Sequence, residues 1–315
     1  MNIHPIPSSP ALSTVRCSDP EKFGAMLPDI RRRLLPLGTD FSFSQAELQL
    51  GHLRLIVVER PPCISEGYLA KTQIGIALSM DDSPGLKLNG ISLAEPALVT
   101  HGAAIPHHIF QPSKLTIAAM LVPDEDGDRG WPERVPAARV DRIRPTAIKH
   151  LRSTIRDVLQ TAAALYPPSS LRPNVVSGMR LSLLDAADHA FLTAPREMEA
   201  RPAIRKYVRI CRLVDEFIHD DALEIPSSTE IADAAGVTIR TLHNAMIAVK
   251  GMSLQKFMML NRLWAVRAAL LRAGPEELIK TIALDHGFWH LGRFAQTYRA
   301  FFGESPSDTM LRQPG

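Results

Sequence analysis

Apolar residues near the C-terminal end of the chain recur every three or four positions, and single glycines interrupt the runs. Such spacing predicts amphipathic helices, and a glycine between two of them provides the positive φ that a tight turn requires. Gly236 separates one pair of such helices, Gly287 separates another, and Gly303 ends the last one. Ser227 and Glu230 have the spacing of a capping box, which marks the start of the first helix. The pattern predicts two helix-turn-helix units, at residues 228–251 and 277–303.

A longer apolar pattern joins the two units. Residues 253–273 keep helical spacing without interruption, and Gly274-Pro275 closes the segment, so one long linker helix is predicted here. Between Ala234 and Pro275 the sequence has no Asp or Glu, which is the charge asymmetry expected where DNA phosphates approach. The basic residues of this stretch are Arg240, Lys250, Lys256, Arg262, Arg267 and Arg272.

The second helix of each unit is the candidate DNA-reading element. An α-helix fits the major groove of DNA, where its outward side chains meet the edges of the bases. Arginine pairs with guanine through two hydrogen bonds, and asparagine or glutamine pairs with adenine in the same way, each pair giving about 1–3 kcal/mol of discrimination. In the second unit the outward positions are Trp289, His290, Arg293, Gln296 and Thr297.

Several short motifs in the last third of the chain share the spacing of one known family. They include Gly236-Val237-Thr238, Gly287-Phe288, Tyr298-Arg299, Phe302-Gly303 and Ser305-Pro306. Through these motifs this part of the chain resembles the DNA-binding domain of the AraC/XylS family of bacterial transcription regulators. Within that family, residues 262–267 and 287–295 look most like the branch that contains the ethanolamine utilisation operon regulator.

The resemblance implies an all-α domain whose two recognition helices enter successive major-groove segments on one face of double-stranded DNA. Lys250 and Arg299 are expected to contact phosphates, which position the domain without reading sequence. Asn244 stands where the family usually has a basic residue, which leaves open which unit dominates affinity. The second unit is expected to dominate specificity, because Arg293 and Gln296 lie together on its exposed face. The expected base-facing residues are Arg240, His243 and Asn244 in the first unit and His290, Gly292, Arg293, Gln296 and Thr297 in the second.

The N-terminal part of the chain has a different pattern, in which short runs of apolar residues are typical of β-strands. Asn89-Gly90 lies between two such runs, and both residues tolerate the positive φ of a hairpin turn. A short helix is predicted from Asp19 to Arg33, and longer helices at residues 145–166 and 178–191. Strands are predicted at residues 46–50, 53–59, 72–79, 86–88, 91–93, 97–101 and 115–122.

The chain is therefore expected to be an α+β protein of two domains, since its 315 residues exceed one ordinary domain. Residues 1–195 are predicted to form a β-rich domain with flanking helices, 196–201 a linker, and 202–315 the all-α DNA-binding domain. The family resemblance implies that the N-terminal domain has a barrel or cupin-like fold that binds a small-molecule inducer, forms a homodimer, or does both. It also implies that the protein acts on RNA polymerase, with activation as the expected outcome.

A dimer contact has one candidate in the sequence. Residues 147–164 place Ile148, Leu151, Ile155 and Leu159 on one helical face. This stripe can pair with its copy in a second chain, or it can pack on the sheet of its own domain. The sequence leaves both arrangements open.

Composition and the cysteines exclude several other classes. No apolar run approaches the roughly 20 residues that cross a bilayer, and the start of the chain lacks the regions of a signal peptide. A cytoplasmic protein without a membrane partner is therefore expected. The 3 cysteines are distant from one another and odd in number, which argues against a disulfide framework or a metal cluster. A net charge of +3 is too small for a protein that coats nucleic acid regardless of sequence.

Two other functions stay open at this stage. A small metal-dependent β-barrel enzyme would use His101, His107 and His108, but the adjacent pair points to opposite faces of a strand. The sequence also has no phosphate-binding loop or nucleophile motif, so no catalytic residue, cofactor or metal site is predicted. The second alternative is a helical protein-interaction module, whose binding would lack the salt dependence of phosphate contacts.

Overall fold

The computed structural model describes residues 12–26, 30–69, 73–81, 85–93, 96–102, 106–123, 129, 131, 139–165, 172–194, 196–197, 202–219, 227–274 and 276–312. The chain separates into two compact units. The N-terminal unit consists of Met1–Pro36 and Phe41–Ala200, and the C-terminal unit consists of Arg201–Gly315 with the short segment Leu37–Asp40.

Within the residues that the structure describes, two antiparallel β-sheets and three helices form the N-terminal unit. The strands are β1 (Leu12–Cys17), β2 (Ile30–Pro36), β3 (Phe43–Leu50), β4 (Leu53–Arg60), β5 (Cys63–Leu69), β6 (Gln73–Ser79), β7 (Lys87–Leu88), β8 (Ile91–Ser92), β9 (Ala97–His101), β10 (His107–Gln111), β11 (Leu115–Pro123), β12 (Arg139–Arg142) and β13 (Arg196–Glu197). The helices are α1 (Pro20–Ala25), α2 (Pro145–Ala164) and α3 (Pro173–Leu192). The larger sheet has the order β1-β3-β4-β11-β6-β9-β12-β13, and the smaller has β2-β5-β10-β7-β8.

The larger sheet is covered on both faces. On one face, Leu55 of β4 shares an apolar cluster with Leu151 of α2 and Leu183 of α3. On the opposite face, Ile56 of β4 shares a second cluster with Leu34 of β2, which belongs to the smaller sheet. Leu55 and Ile56 are adjacent, and successive side chains of a strand point to opposite faces. The same strand therefore contributes to both layers of the core.

The apolar stripe of α2 is used inside the domain. Ile148, Leu151, Ile155 and Leu159 are all buried in the cluster that α2 shares with the larger sheet. Of the two arrangements that the sequence left open, packing on the domain's own sheet is the one that the structure has. The homodimer stays a prediction, and this stripe does not provide its contact.

The helix predicted from Asp19 to Arg33 is wrong in its second half. Helix α1 ends at Ala25, and Ile30–Pro36 form strand β2, which pairs with β5 along its whole length. This pairing buries Leu34 in the layer between the sheets. Burial against a strand that is distant in sequence overrides the local helical spacing.

The hairpin predicted at Asn89-Gly90 is confirmed. Asn89 has a φ of 47° and Gly90 a φ of 77°, and Leu88 pairs with Ile91 across the turn. Each of the other predicted strands also overlaps an observed strand. The predicted linker at residues 196–201 is different, because Arg196–Glu197 pair with β12 as part of the larger sheet, while residues 198–201 lie outside the described residues.

The C-terminal unit is built from helices. They are α4 (Pro202–His219), α5 (Ser228–Ala234), α6 (Ile239–Val249), α7 (Leu254–Arg272), α8 (Ile279–Asp285), α9 (Leu291–Phe302) and α10 (Pro306–Met310). The predicted capping box is present, since Ser227 Oγ accepts from the Glu230 N–H and the Glu230 carboxylate accepts from the Ser227 N–H. Helix α7 matches the long helix predicted at residues 253–273.

Aromatic rings hold α9 against α7. Trp264 of α7 meets Phe302 edge to face at 5.0 Å between ring centroids, and Phe302 lies 4.5 Å from the ring of Tyr298. These contacts fix one face of α9 inward and leave the opposite face to solvent. Within the described residues, no helix has both the length and the apolar character needed to cross a membrane.

Candidate nucleic-acid interface

Helices α5 and α6 form the first helix pair. Gly236 has a φ of 62° in the turn between them, and Thr238 Oγ1 caps α6 by accepting from the Thr241 N–H at 3.2 Å. The inward face of α6 is buried and apolar, which fixes the direction of the opposite face. The buried residues are Leu242, Ala245, Met246 and Val249, and the exposed ones include Arg240, His243 and Asn244.

Helices α8 and α9 form the second helix pair in the same way. Gly287, with a φ of 77°, lies in the turn between them, and Gly303, with a φ of 74°, ends α9. The left-handed conformation at both positions favours glycine. On α9 the buried residues are Phe294, Tyr298 and Phe302, the exposed ones are Gly292, Arg293, Gln296 and Arg299 with His290 just before the helix, and Thr297 is half-buried.

Four exposed polar side chains on the two helices have no side-chain partner among the described residues. Among the described residues, Arg240 and Asn244 on α6 and Arg293 and Gln296 on α9 take part in no side-chain hydrogen bond or ion pair. Their donors and acceptors are therefore available to a ligand outside the chain. Both arginines and both amides are of the kinds that pair with base edges through two hydrogen bonds.

Exposed apolar residues stand beside these polar groups, and sequence reasoning did not assign most of them a role. Ile239 at the start of α6 is 53% exposed, and Trp289 just before α9 is 76% exposed. Leu291, the first residue of α9, is also exposed. Apolar side chains at the start of a recognition helix can contact the methyl group of thymine. The signal that identifies them is their place at the N-terminal end of a helix whose inward face is already occupied.

The assignment of Lys250 to a phosphate contact is wrong for this structure. Its side chain is fully buried, and its Nζ donates to Asp215 Oδ1 at 2.8 Å and Oδ2 at 2.9 Å. The ammonium also lies 4.9 Å from the centre of the Phe257 ring. A charge that is enclosed and neutralised in this way cannot reach a phosphate. Arg299, by contrast, is exposed at the last turn of α9, and its phosphate contact stays a prediction.

A family model described as a helix-turn-helix domain matches residues 231–312. The XylDLEGF operon transcriptional activator of Pseudomonas putida is 39% identical over 101 residues, which are 32% of this chain and 31% of that protein. The probable thc operon regulatory protein of Rhodococcus erythropolis is 32% identical over 156 residues, which are 49% of this chain and 44% of that protein. The crystal structure of the AraC-like transcriptional activator CuxR covers 74% of this chain and 88% of its own at 14% identity, with a TM-score of 0.42.

The chain spans less than half the length of each of these two curated relatives. One of them is named as a transcriptional activator and the other as a probable operon regulatory protein. Residues 231–312 therefore match a helix-turn-helix domain, and this chain is similar in part of its length to proteins named as a transcriptional activator and an operon regulatory protein.

Proposed function

We propose that this protein is a sequence-specific DNA-binding activator of transcription that places α6 and α9 in successive major-groove segments. The observation that carries this proposal is the pair of helices with buried apolar inner faces and outer faces of exposed, unengaged polar side chains. Activation is proposed because the related Pseudomonas putida protein is named as a transcriptional activator. The linker helix α7 lies between the two pairs in the chain and would set their spacing.

The second helix pair is proposed to supply most of the base reading. Arg293 and Gln296 lie three positions apart on α9, and residues at that spacing are neighbours on one helical face. Arg293 is suited to guanine and Gln296 to adenine, while His290, Gly292 and Thr297 complete the face that approaches the bases. Arg299 would hold a phosphate.

The first helix pair is proposed to contribute a smaller share. Arg240, His243 and Asn244 are its base-facing residues, and two of them can form paired hydrogen bonds with a base. The burial of Lys250 removes one cation from this side of the domain, which makes the first pair less attractive to phosphates than the sequence indicated.

The N-terminal unit is proposed to control this DNA-binding domain. Its two-layered β structure with packed helices would bind a small-molecule inducer, form a homodimer, or do both, and so change how the domain meets DNA and RNA polymerase. Such control requires that the inducer bind two states of the protein with unequal affinity. Ethanolamine and cobalamin are the inducers implied by the resemblance to the branch that contains the ethanolamine utilisation operon regulator. Both belong in a first ligand screen.

Selection from a random duplex library with the purified full chain tests the function. Repeated rounds should enrich one motif that consists of two short elements about one helical turn, 10–10.5 base pairs, apart. Affinity for the enriched duplex should fall steeply with salt. In a plot of the logarithm of the binding constant against the logarithm of the salt concentration, each neutralised phosphate should add about 0.9 to the steepness of the slope. Failure to enrich any sequence, or binding that does not respond to salt, would contradict a DNA reader and favour a protein-interaction module.

A further inference from the structure

Two arginines lie in the apolar layer between the two sheets of the N-terminal unit. Side chains alternate along a strand, so Arg60 is on the same face of β4 as Ile56 and Val58, which belong to that layer. Arg32 lies two residues before Leu34 on β2 and so shares the face that closes the layer from the other side. The two guanidinium groups therefore enter the same interior from opposite sheets.

Two histidines enter this layer as well. His101 is at the end of β9 in the larger sheet, and His107 is at the start of β10 in the smaller sheet. Their ring centroids are 4.6 Å apart, which places both rings between the sheets. His107 pairs in register with Gly67, so the neighbouring strand has no side chain at that position. We refer to Arg32, Arg60, His101 and His107 together as the interior polar site.

Arg60 is buried without an anion. It is 5% exposed, and within the part of the chain that the structure describes its Nε and Nη2 have no hydrogen-bond partner. Arg54 lies on the same face of β4 and is paired, with its Nε 2.8 Å and its Nη2 2.7 Å from Glu47 Oε1. Among the described residues, strand β4 thus has Arg54 paired with a carboxylate and Arg60 buried without one. Because an unpaired buried charge is strongly destabilising, this arrangement indicates a place for an incoming anion.

Among the described residues, the titratable groups that interact with Arg60 are Arg32, His107 and the buried Cys63 thiol, whose pKa is raised by burial, so they are positive or neutral. Burial, and after it the charge of Arg60, lowers the pKa of Arg32 to about 9. Burial lowers the pKa of His101 to about 4, and burial followed by the nearby histidines and arginines lowers the pKa of His107. Both imidazoles are therefore neutral near pH 7, and each can donate one hydrogen bond. Among the described residues, neither Nδ1 atom has a partner.

The two guanidinium groups differ in how many of their donors are already used. Arg32 Nη2 already donates to the Phe23 carbonyl at 3.2 Å and to Gln45 Oε1 at 3.3 Å, and the guanidinium stacks 4.3 Å from the centre of the Phe23 ring. These two acceptors are neutral and Arg32 Nε has no partner among the described residues, so Arg32 keeps its positive charge beside Arg60. Arg60 has no side-chain hydrogen bond among these residues, so its Nε and Nη2 are the donors available to one carboxylate, and Arg32 adds a second positive charge nearby. The apolar surroundings disfavour a dianion, which would need further donors to replace its hydration.

We propose that the interior polar site binds a small monocarboxylate with an apolar body, whose carboxylate pairs with Arg60 and accepts hydrogen bonds from His101 and His107. A planar guanidinium matches the two oxygens of a carboxylate, and the apolar body suits the layer that surrounds the site. As the class of inducer, this ligand rests on the proposed function, although its binding does not depend on DNA. The apolar residues of the layer include Phe23, Phe43, Ile56 and Val58.

Thermal unfolding and titration calorimetry of the full chain test the site. The probes are hexanoate and cyclohexanecarboxylate, each compared with its neutral amide of the same shape. Both carboxylates should raise the Tm in a concentration-dependent way, because a ligand that binds the folded state alone stabilises it, whereas the amides should have little effect. An equal response to acid and amide, or no response to either carboxylate at millimolar concentration, overturns the proposal.

Variants of the two arginines on β4 provide the matched control. Arg60→Met should weaken carboxylate binding by at least about tenfold, the usual effect of losing hydrogen bonds to a charged group, and Arg60→Lys should have an intermediate effect. Arg54→Met removes an arginine from the same face and should bind as the wild type does. Arg60→Met should also raise the Tm of the protein without ligand, because an apolar side chain replaces an unpaired charge. A folded variant whose Tm does not increase with carboxylate has therefore lost binding and not its fold. Undiminished binding to Arg60→Met contradicts the site.

The outcome for the site is separate from the outcome for the proposed function. A chain that selects a duplex but does not respond to the carboxylates contradicts the interior polar site alone. A chain that binds hexanoate through Arg60 but enriches no duplex contradicts the DNA-binding function alone. If both are present, hexanoate should change the affinity of the wild type for its duplex and leave that of Arg60→Met unchanged.

Discussion

Lys250 donates to both carboxylate oxygens of Asp215, at 2.8 and 2.9 Å, and so joins the end of α6 to α4. Its ammonium also faces the ring of Phe257 on α7, so one cation connects three helices. Helix α4 precedes the segment that the helix-turn-helix family model covers, residues 231–312. The first helix pair therefore depends on a helix outside the matched domain for the support of its recognition helix.

Lys250→Met should lower the free energy of unfolding of the C-terminal unit by about 3 kcal/mol, because it removes the ammonium that neutralises the buried Asp215 carboxylate. Urea denaturation of the full chain measures the change. The salt dependence of DNA binding, measured where the variant is folded, should not change, because Lys250 contacts no phosphate. If the slope of the logarithm of the binding constant against the logarithm of the salt concentration became shallower by about 0.9, Lys250 would contact a phosphate after all.

The double variant Asp215→Leu, Lys250→Met is the control for this pair. Replacing both partners of a buried ion pair by apolar residues leaves no unpaired charge, so much of the lost stability should return. Lys256→Met changes an exposed lysine near the start of α7 and should have little effect on unfolding. A double variant as unstable as the single one would show that the packing of Lys250, and not its charge, sets the loss.

The helices of the C-terminal unit could be predicted because their signals are local. The capping box at Ser227 and the positive-φ glycines at 236 and 287 mark helix ends within a few residues of sequence. The strands were harder to predict. Strand β2 reads Ile-Arg-Arg-Arg-Leu-Leu-Pro, without a clear alternation, and it is a strand because β5 pairs with it. Strand pairing joins distant residues, which a local pattern does not report.

The candidate DNA-contacting side chains could also be predicted, because helical spacing decides which residues of α6 and α9 face outward. Lys250 was assigned wrongly since its partner Asp215 lies 35 positions away in sequence, and no spacing relates the two. Arg60 was missed for the same reason. An arginine at the end of an apolar strand reads as an exposed terminal residue, and only the second sheet shows that it is enclosed.

Arg293→Ala should reduce discrimination at one base pair of the selected duplex by about 1–3 kcal/mol and affect the other positions little. The physical reason is that a single guanidinium on α9 can form two hydrogen bonds with one guanine. Competition binding against a set of single-substitution duplexes measures the loss at each position. A uniform loss across all positions would assign Arg293 to a phosphate instead of a base.

Arg299→Ala gives the complementary pattern. It should weaken binding to every duplex by a similar factor and lower the logarithmic salt slope by about 0.9, because one fewer phosphate is neutralised. Arg299 is on the same helix as Arg293 and equally exposed, so each variant controls for the loss of positive charge in the other. Sequence preference that changes in Arg299→Ala would contradict its assignment.

Glu304→Gln should destabilise the second helix pair by about 2 kcal/mol, because it removes the carboxylate that accepts from Arg267 at 2.6 Å and from Thr309 at 2.8 Å. Partial burial acts to raise the pKa of Glu304, but these hydrogen bonds outweigh it and the pKa is lowered. The variant removes the carboxylate charge beside the buried Arg267 guanidinium. Urea denaturation measures the effect, with Glu276→Gln, at an exposed position, as the control.

The unliganded protein should lose stability as the pH falls from about 6.5 to about 4. Burial lowers the pKa of His101 to about 4, while in the unfolded chain this histidine has an ordinary pKa of about 6.5. Between these values the unfolded chain binds a proton that the folded chain does not, so protonation favours unfolding. His101 alone accounts for about 3 kcal/mol across this window, and the loss is complete near pH 4. His107 acts in the same direction, because burial and the neighbouring histidines and arginines also lower its pKa.

His101→Gln should remove part of this pH dependence, and His52→Gln, at an exposed turn, should remove none. Urea denaturation at a series of pH values between 7.5 and 4.5 separates the two variants, since most carboxylates stay ionised throughout that range. The slope of stability against pH reports the difference in bound protons between the unfolded and folded chains, so it should be shallower for His101→Gln than for the wild type. An unchanged slope in His101→Gln would mean that His101 binds its proton over the same pH range in the folded and the unfolded chain, which would contradict its burial as a neutral donor in the interior polar site.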